Sequence, residues 1–134
     1  MKYKSNIRRR GAVLSMELLL VLPIVAGLLL ALVEFSMLWS ANQRVKLAAN
    51  AGARVASFSG SNLPAVEQAA ALALNKRSLL QTMQVAVQGG QHTGDLVCVR
   101  VAVPMRAAAP DLLSLFGFSL ANRQLSAETI MRKE

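Results

Sequence analysis

Apolar residues are distributed in three regimes along the chain. The first is a run without charge from Leu18 to Val33, bounded by Glu17 and Glu34. At ~1.5 Å per helical residue the run reaches only ~24 Å, but carried on to Trp39 it reaches ~33 Å, enough for a ~30 Å hydrocarbon core. Phe35 and Trp39, one turn apart at its outer end, suit an interfacial aromatic anchor beside Glu34 at the membrane edge. The pattern predicts a transmembrane helix over 12–39. Pro23 lies inside it and removes the hydrogen bond to the Leu19 carbonyl, so a kink is expected there.

The second regime keeps helical spacing but alternates in polarity. Leu47, Ala51, Val55 and Phe58 form an apolar stripe, and Gln43, Lys46, Asn50, Arg54 and Ser57 a polar one. Small residues from Ala48 to Ala56 make this stretch slim enough for a neighbouring helix to approach closely. The helix should continue outside the membrane over 40–59 and stop near Ser59-Gly60. A second helix is expected over 63–78, capped by Ser61 or Asn62, with Pro64 in its first turn and Lys76 and Arg77 at its far end. Val66, Ala70 and Ala73 would pack it.

The third regime has period two. Met83, Val85 and Val87 alternate with polar or small residues, and Val97, Val99, Val101 and Val103 share one face. With the connecting "GGQHTG" this predicts a β-hairpin, which Pro104 ends. A short helix or turn is expected around 110–116. A polar third strand, alternating about Leu125, Ala127, Thr129 and Met131, would form a sheet edge. The fold class is α+β: a long N-terminal helix, a second helix and a small antiparallel sheet, with an outer domain over 60–134.

Charge orients this arrangement. The first ten residues hold five basic side chains, among them Arg8, Arg9 and Arg10, and no acid, whereas the remainder holds ten basic and seven acidic residues. A cationic cluster directly before an apolar run marks a cytoplasmic N-terminus, with residues 1–11 as the leader. No stacking aromatics accompany it, so nucleic acid is not the expected partner. A cleaved secretory signal is disfavoured, because its apolar core is shorter and ends at a small-x-small site.

Candidate chemistry is sparse. Cys98 is the one cysteine and excludes an intrachain disulfide; His92 is the one histidine, in a glycine-rich loop beside Asp95. No metal-binding spacing, catalytic triad, paired carboxylates or phosphate loop is found, so neither enzymatic activity, a cofactor nor a small-molecule substrate is expected. The lipid bilayer is the first expected partner. The glutamates stand out instead, since a carboxylate at mid-membrane costs a few kcal/mol unless it pairs or reaches water.

A basic leader, Gly11, a short apolar stretch, Glu17 and a long apolar helix resemble the class III signal of type IV pilins. More narrowly, "RRRGAVLSMELLLVLPIVAGLLLALVEF" followed by "AANAGARVA" resembles the TadE-like family of pseudopilins in tight-adherence (Flp, type IVc) pilus machinery. The matching details are Val21-Leu22-Pro23 and Gly52-Ala53-Arg54, the latter a helix-packing segment; the resemblance covers residues 8–56.

The resemblance implies a substrate of a prepilin peptidase, cut on the cytoplasmic side after Gly11 to leave an amine on Ala12. It also implies that Glu17 pairs with the N-terminal amine of a neighbouring subunit. Amine and carboxylate carry opposite charges near neutrality, and their attraction strengthens away from water. Counted from Ala12, Glu17 is the sixth residue rather than the family's usual fifth, and a cut after Ala12 would restore that spacing. Leu18 stands where an aromatic is common. Expected partners are other pilins, pseudopilins and assembly-platform proteins, in a bacterial inner membrane or a pilus, with adhesion or secretion as the process served. The competing reading is an unprocessed single-pass protein whose outer domain binds an unrelated partner.

Overall fold

The structure, a computed structural model, describes residues 5–58 and 60–134, with side chains from Val13 onward. One helix, α1 (Ser5–Ser57), dominates it. Its 53 residues extend ~80 Å, and the segment from Val13 is long and apolar enough to cross a membrane. It stays helical through Pro23. Ser59, where the sequence places the stop, lies outside the described residues. So do residues 1–4 and the side chains of Arg8, Arg9, Arg10 and Ala12, as well as the surroundings of Gly11, although the backbone of 8–12 belongs to α1.

After α1 come α2 (Leu63–Leu74), α3 (Arg77–Leu80), β1 (Gln84–Gly89), β2 (Leu96–Pro104), α4 (Met105–Ala108), a 3-10 turn (Leu112–Phe116) and β3 (Gln124–Arg132). The sheet is antiparallel in the order β1-β2-β3. Val85 faces Val101 and Val87 faces Val99, while Val101 also meets Ala127 and Val99 meets Thr129. This is the α+β class expected, with a polar third strand at one edge. The connection between β1 and β2 runs from Gly90 to Asp95, one residue beyond the 89–94 loop that the sequence suggests.

The core forms where the C-terminal half of α1 and α2 cover one face of the sheet. From α1 it takes Ala41, Val45, Ala48, Ala49, Ala53 and Ala56, all buried. Of the larger apolar stripe read from the sequence, Val55 packs against this core, whereas Leu47 and Phe58 are exposed. Small side chains won the inward face because α2 and the sheet both approach the α1 backbone there. A Cβ added at Gly52 would stand 3.3 Å from Val99 Cγ1 and 3.4 Å from Val66 Cγ1. Opposite, Val97, Val99, Val101 and Val103 are buried, each contributing roughly 1.5–3 kcal/mol of apolar burial.

Asn62 is the cap chosen for α2, its side-chain oxygen accepting from the Ala65 N–H at 3.2 Å. The helix ends at Leu74 rather than near 78. Asn75 takes the left-handed conformation (φ 46°) and donates its N–H to the Ala71 carbonyl, which terminates the helix. Lys76 therefore leaves the helix end and donates to the Ala108 carbonyl at 3.4 Å, tying α2 to α4.

The far end of the hairpin is clamped by the last residues of the chain. Lys133 Nζ donates to the Gly90 carbonyl at 2.7 Å, and Gly94 donates its N–H to the Lys133 carbonyl at 2.9 Å. Gly89 has φ +82°, and a Cβ there would collide with the Leu96 carbonyl oxygen. Gly89→Ala should therefore cost about 1–3 kcal/mol. Thermal unfolding of the detergent-solubilised chain checks this, as a lowered midpoint.

Candidate functional site

Glu17 lies on an exposed face of α1 with Val13, Met16 and Leu20, which line an open apolar groove beside it. Among the described residues it has no hydrogen-bond or ion-pair partner. An acidic group on an otherwise apolar, uncovered helix face is costly in hydrocarbon unless it pairs or reaches water.

Glu34 has a different environment. Only 5% exposed, it accepts the Leu113 N–H on Oε2 at 3.0 Å. The donor is one of the orphan amides of the 3-10 turn, so a carboxylate on α1 caps an element far along the chain. Phe35 and Trp39 point away from this contact and are exposed, with ring centroids 6.0 Å apart. The three residues assigned to the membrane edge thus divide into two outward aromatics and an inward anchor. Glu34→Ala should cost about 1–3 kcal/mol, since a partly buried amide loses a charged acceptor, whereas Glu34→Gln keeps an acceptor and costs less. Hydrogen exchange at Leu113 checks this directly, with faster exchange expected in the alanine variant.

The segment that Glu34 holds reaches back along α1. Phe116 lies over Gly27, where an added Cβ would stand 3.2 Å from its Cζ, and together with Leu113 and Phe118 it forms an apolar pocket with Pro23 and Leu28. Asp111 closes the base of the segment. Its Oδ2 accepts from the Leu120 N–H and Ser119 Oγ, both at 3.2 Å, and lies 3.8 Å from Arg106 Nη2. The sequence shows a short helix or turn here but gives no sign that it docks on α1.

Of the packing segment, Gly52 and Ala53 are buried against the chain's own α2 and β2, while Arg54 is exposed. His92 sits in the hairpin turn, donating its backbone N–H to Asp95 Oδ2 at 3.0 Å. Among the described residues no group of three or more His, Cys, Asp or Glu is placed to hold a metal ion.

Cys98 lies on the uncovered face of the sheet, where its thiol donates to Glu128 Oε1 at 2.9 Å. That hydrogen bond, and then burial and the negative charge of Glu128, push the thiol above its ordinary range, with Arg100 opposing. Because the thiolate is the nucleophile, Cys98 should alkylate slowly at mildly alkaline pH. Glu128→Gln removes the carboxylate and should speed the reaction, shifting its pH profile downward. Maleimide labelling followed by mass spectrometry checks it.

Fold and site together define a protein with one long apolar N-terminal helix, consistent with a single membrane pass, that carries a small α+β domain on its C-terminal half. Residues 12–54 match the family model described as TadE-like protein, the family that the leader and helix resemble. The matched segment holds Glu17, Glu34 and Gly52-Ala53-Arg54. No curated protein and no solved structure matches the chain.

Proposed function

We propose that this chain is a minor pilin-like component in the assembly of a tight-adherence pilus or a related secretion system. In this reading a prepilin peptidase removes the basic leader at Gly11 or Ala12, and the protein acts without catalysis of its own. It sits in the bacterial inner membrane with the leader in the cytoplasm and the α+β domain outside. Glu17 pairs with the N-terminal amine of the next subunit, and contacts with other pilins, pseudopilins and assembly-platform proteins follow along α1.

The observation that carries the proposal is the TadE-like match over residues 12–54, within which Glu17 lies on an exposed apolar face. That face supplies what assembly by helix packing needs: a long apolar surface for area, and one charge to fix the register. The test is deletion of the gene in its own host, with pili counted by electron microscopy. Loss of pili, restored by the wild-type gene, is expected. Normal piliation would favour an unprocessed membrane protein serving a different partner.

A further inference from the structure

We propose that the segment Leu112–Phe118 is a membrane-inserting finger, which seats the α+β domain on the outer leaflet of the bilayer with its apolar tip among the acyl chains. The inference rests on reading α1 as the spanning helix, and it goes beyond that reading by giving a second, separate segment a place in the lipid.

The first argument is position. Phe116 meets α1 at Gly27, seven residues before Glu34 and so ~10 Å nearer the N-terminus along the helix axis. Counted from Val13, with Glu17 inside the span rather than at its edge, the stretch to Val33 is twenty-one residues, or ~32 Å, which fills a ~30 Å hydrocarbon core without the extension to Trp39. The boundary then falls at Glu34, and the finger dips below it alongside the helix.

The second argument is exposure. Leu115 is 86% exposed, Phe118 68% and Phe116 50%, all within one short turn. Beside them the α1 residues Ile24, Val25 and Leu28, which line one pocket with Phe116 and Phe118, are also exposed, so the apolar surface is continuous from finger to helix. The finger is held in shape despite having no apolar cover at its tip. Gly117 closes the turn in the left-handed conformation (φ 85°), Phe118 donates its N–H to the Leu113 carbonyl, and Asp111 and Glu34 pin the base. The Gly117 and Phe118 N–H groups are thus satisfied by the Ser114 and Leu113 carbonyls inside the segment, which a hydrocarbon environment favours.

The third argument is charge. The end of the domain from which the finger hangs carries Arg44, Lys76, Arg106 and Arg123. These positions are brought together by contacts from Arg44 to the Leu74 carbonyl, from Lys76 to the Ala108 carbonyl, from Arg106 to Asp111, and from the Met105 N–H to the Arg123 carbonyl. An apolar tip beneath a cationic rim matches acyl chains beneath anionic phosphates. A neighbouring protein helix would satisfy the tip but gives no reason for the rim.

The test is site-directed spin labelling of the full chain in a Cys98→Ser background, reconstituted into vesicles of phosphatidylethanolamine and phosphatidylglycerol. Labels are placed singly by Leu115→Cys and Phe118→Cys, with Val21→Cys as the mid-helix reference and Gln88→Cys as the water reference. Collision rates with oxygen and with a water-soluble nickel chelate are compared. Expected is that positions 115 and 118 favour oxygen, as position 21 does, while position 88 favours nickel. Nickel-accessible labels at 115 and 118 with a protected label at 21 overturn the finger but leave the spanning helix intact. Labels at 115 and 118 shielded from both reagents indicate a protein partner and also overturn it. A nickel-accessible label at 21 overturns the spanning reading, and the finger with it.

Discussion

Glu17→Ala is expected to abolish co-assembly while leaving the chain folded and inserted. The side chain lies on an exposed face of α1 and has no partner among the described residues, so its removal takes nothing from the fold. In the assembled state it would lie in lipid or against a second helix, where an uncompensated charge is costly. Removing one partner of a buried ion pair costs ~3–5 kcal/mol, which is roughly two to four powers of ten in association. Here the charge left stranded would be the neighbour's amine. Crosslinking between neighbouring subunits, with the position of the mature N-terminus as a control for normal processing, measures this. Undiminished crosslinking in the alanine variant would remove Glu17 from the assembly contact.

The second large effect is in the core. Gly52→Leu should destabilise the outer domain by about 1–3 kcal/mol or more, because three added carbons beyond the Cβ have no room. Val66 and Ala70 on α2 and Val99 on β2 already stand at contact distance from where the first carbon would go. The strain should push α2 off α1 and open the face that the sheet needs covered. Thermal unfolding followed by circular dichroism checks it, with a lowered midpoint expected. Leu47→Ala, on the exposed stripe of the same helix, should leave the midpoint nearly unchanged.

That contrast shows what the sequence could and could not convey. The strands were legible because one covered face imposes strict alternation, and the register through Val85, Val101 and Ala127 follows from it. The long helix was legible from an apolar run without charge. The inward face of its C-terminal half was not. Periodicity draws attention to the large residues Leu47 and Phe58, whereas close approach of α2 and the sheet selects Ala and Gly. The end of α2 depended on one residue, Asn75, whose left-handed cap outweighed the apparent continuation to residue 78.

The two glutamates differ in the same sense. Glu17 could be singled out from its place at the head of an apolar run, and the structure leaves it facing outward. Glu34 acquires its partner from Leu113, a residue 79 positions away, and no local pattern encodes a contact of that span. Its visible sign was only that an acid stood in an apolar helix. Docking on α1 accounts for Leu113 and for one side of Phe116, whereas Leu115 and most of Phe118 stay exposed.

The most direct measurement is the mass of the mature N-terminus, taken on protein isolated from the membranes of its own host. Cleavage by a prepilin peptidase should give a chain beginning at Ala12 or Val13, and the peptidase-deficient host should yield a chain that keeps the basic leader. A chain that retains Arg8, Arg9 and Arg10 in the presence of the peptidase would contradict a processed pilin-like subunit.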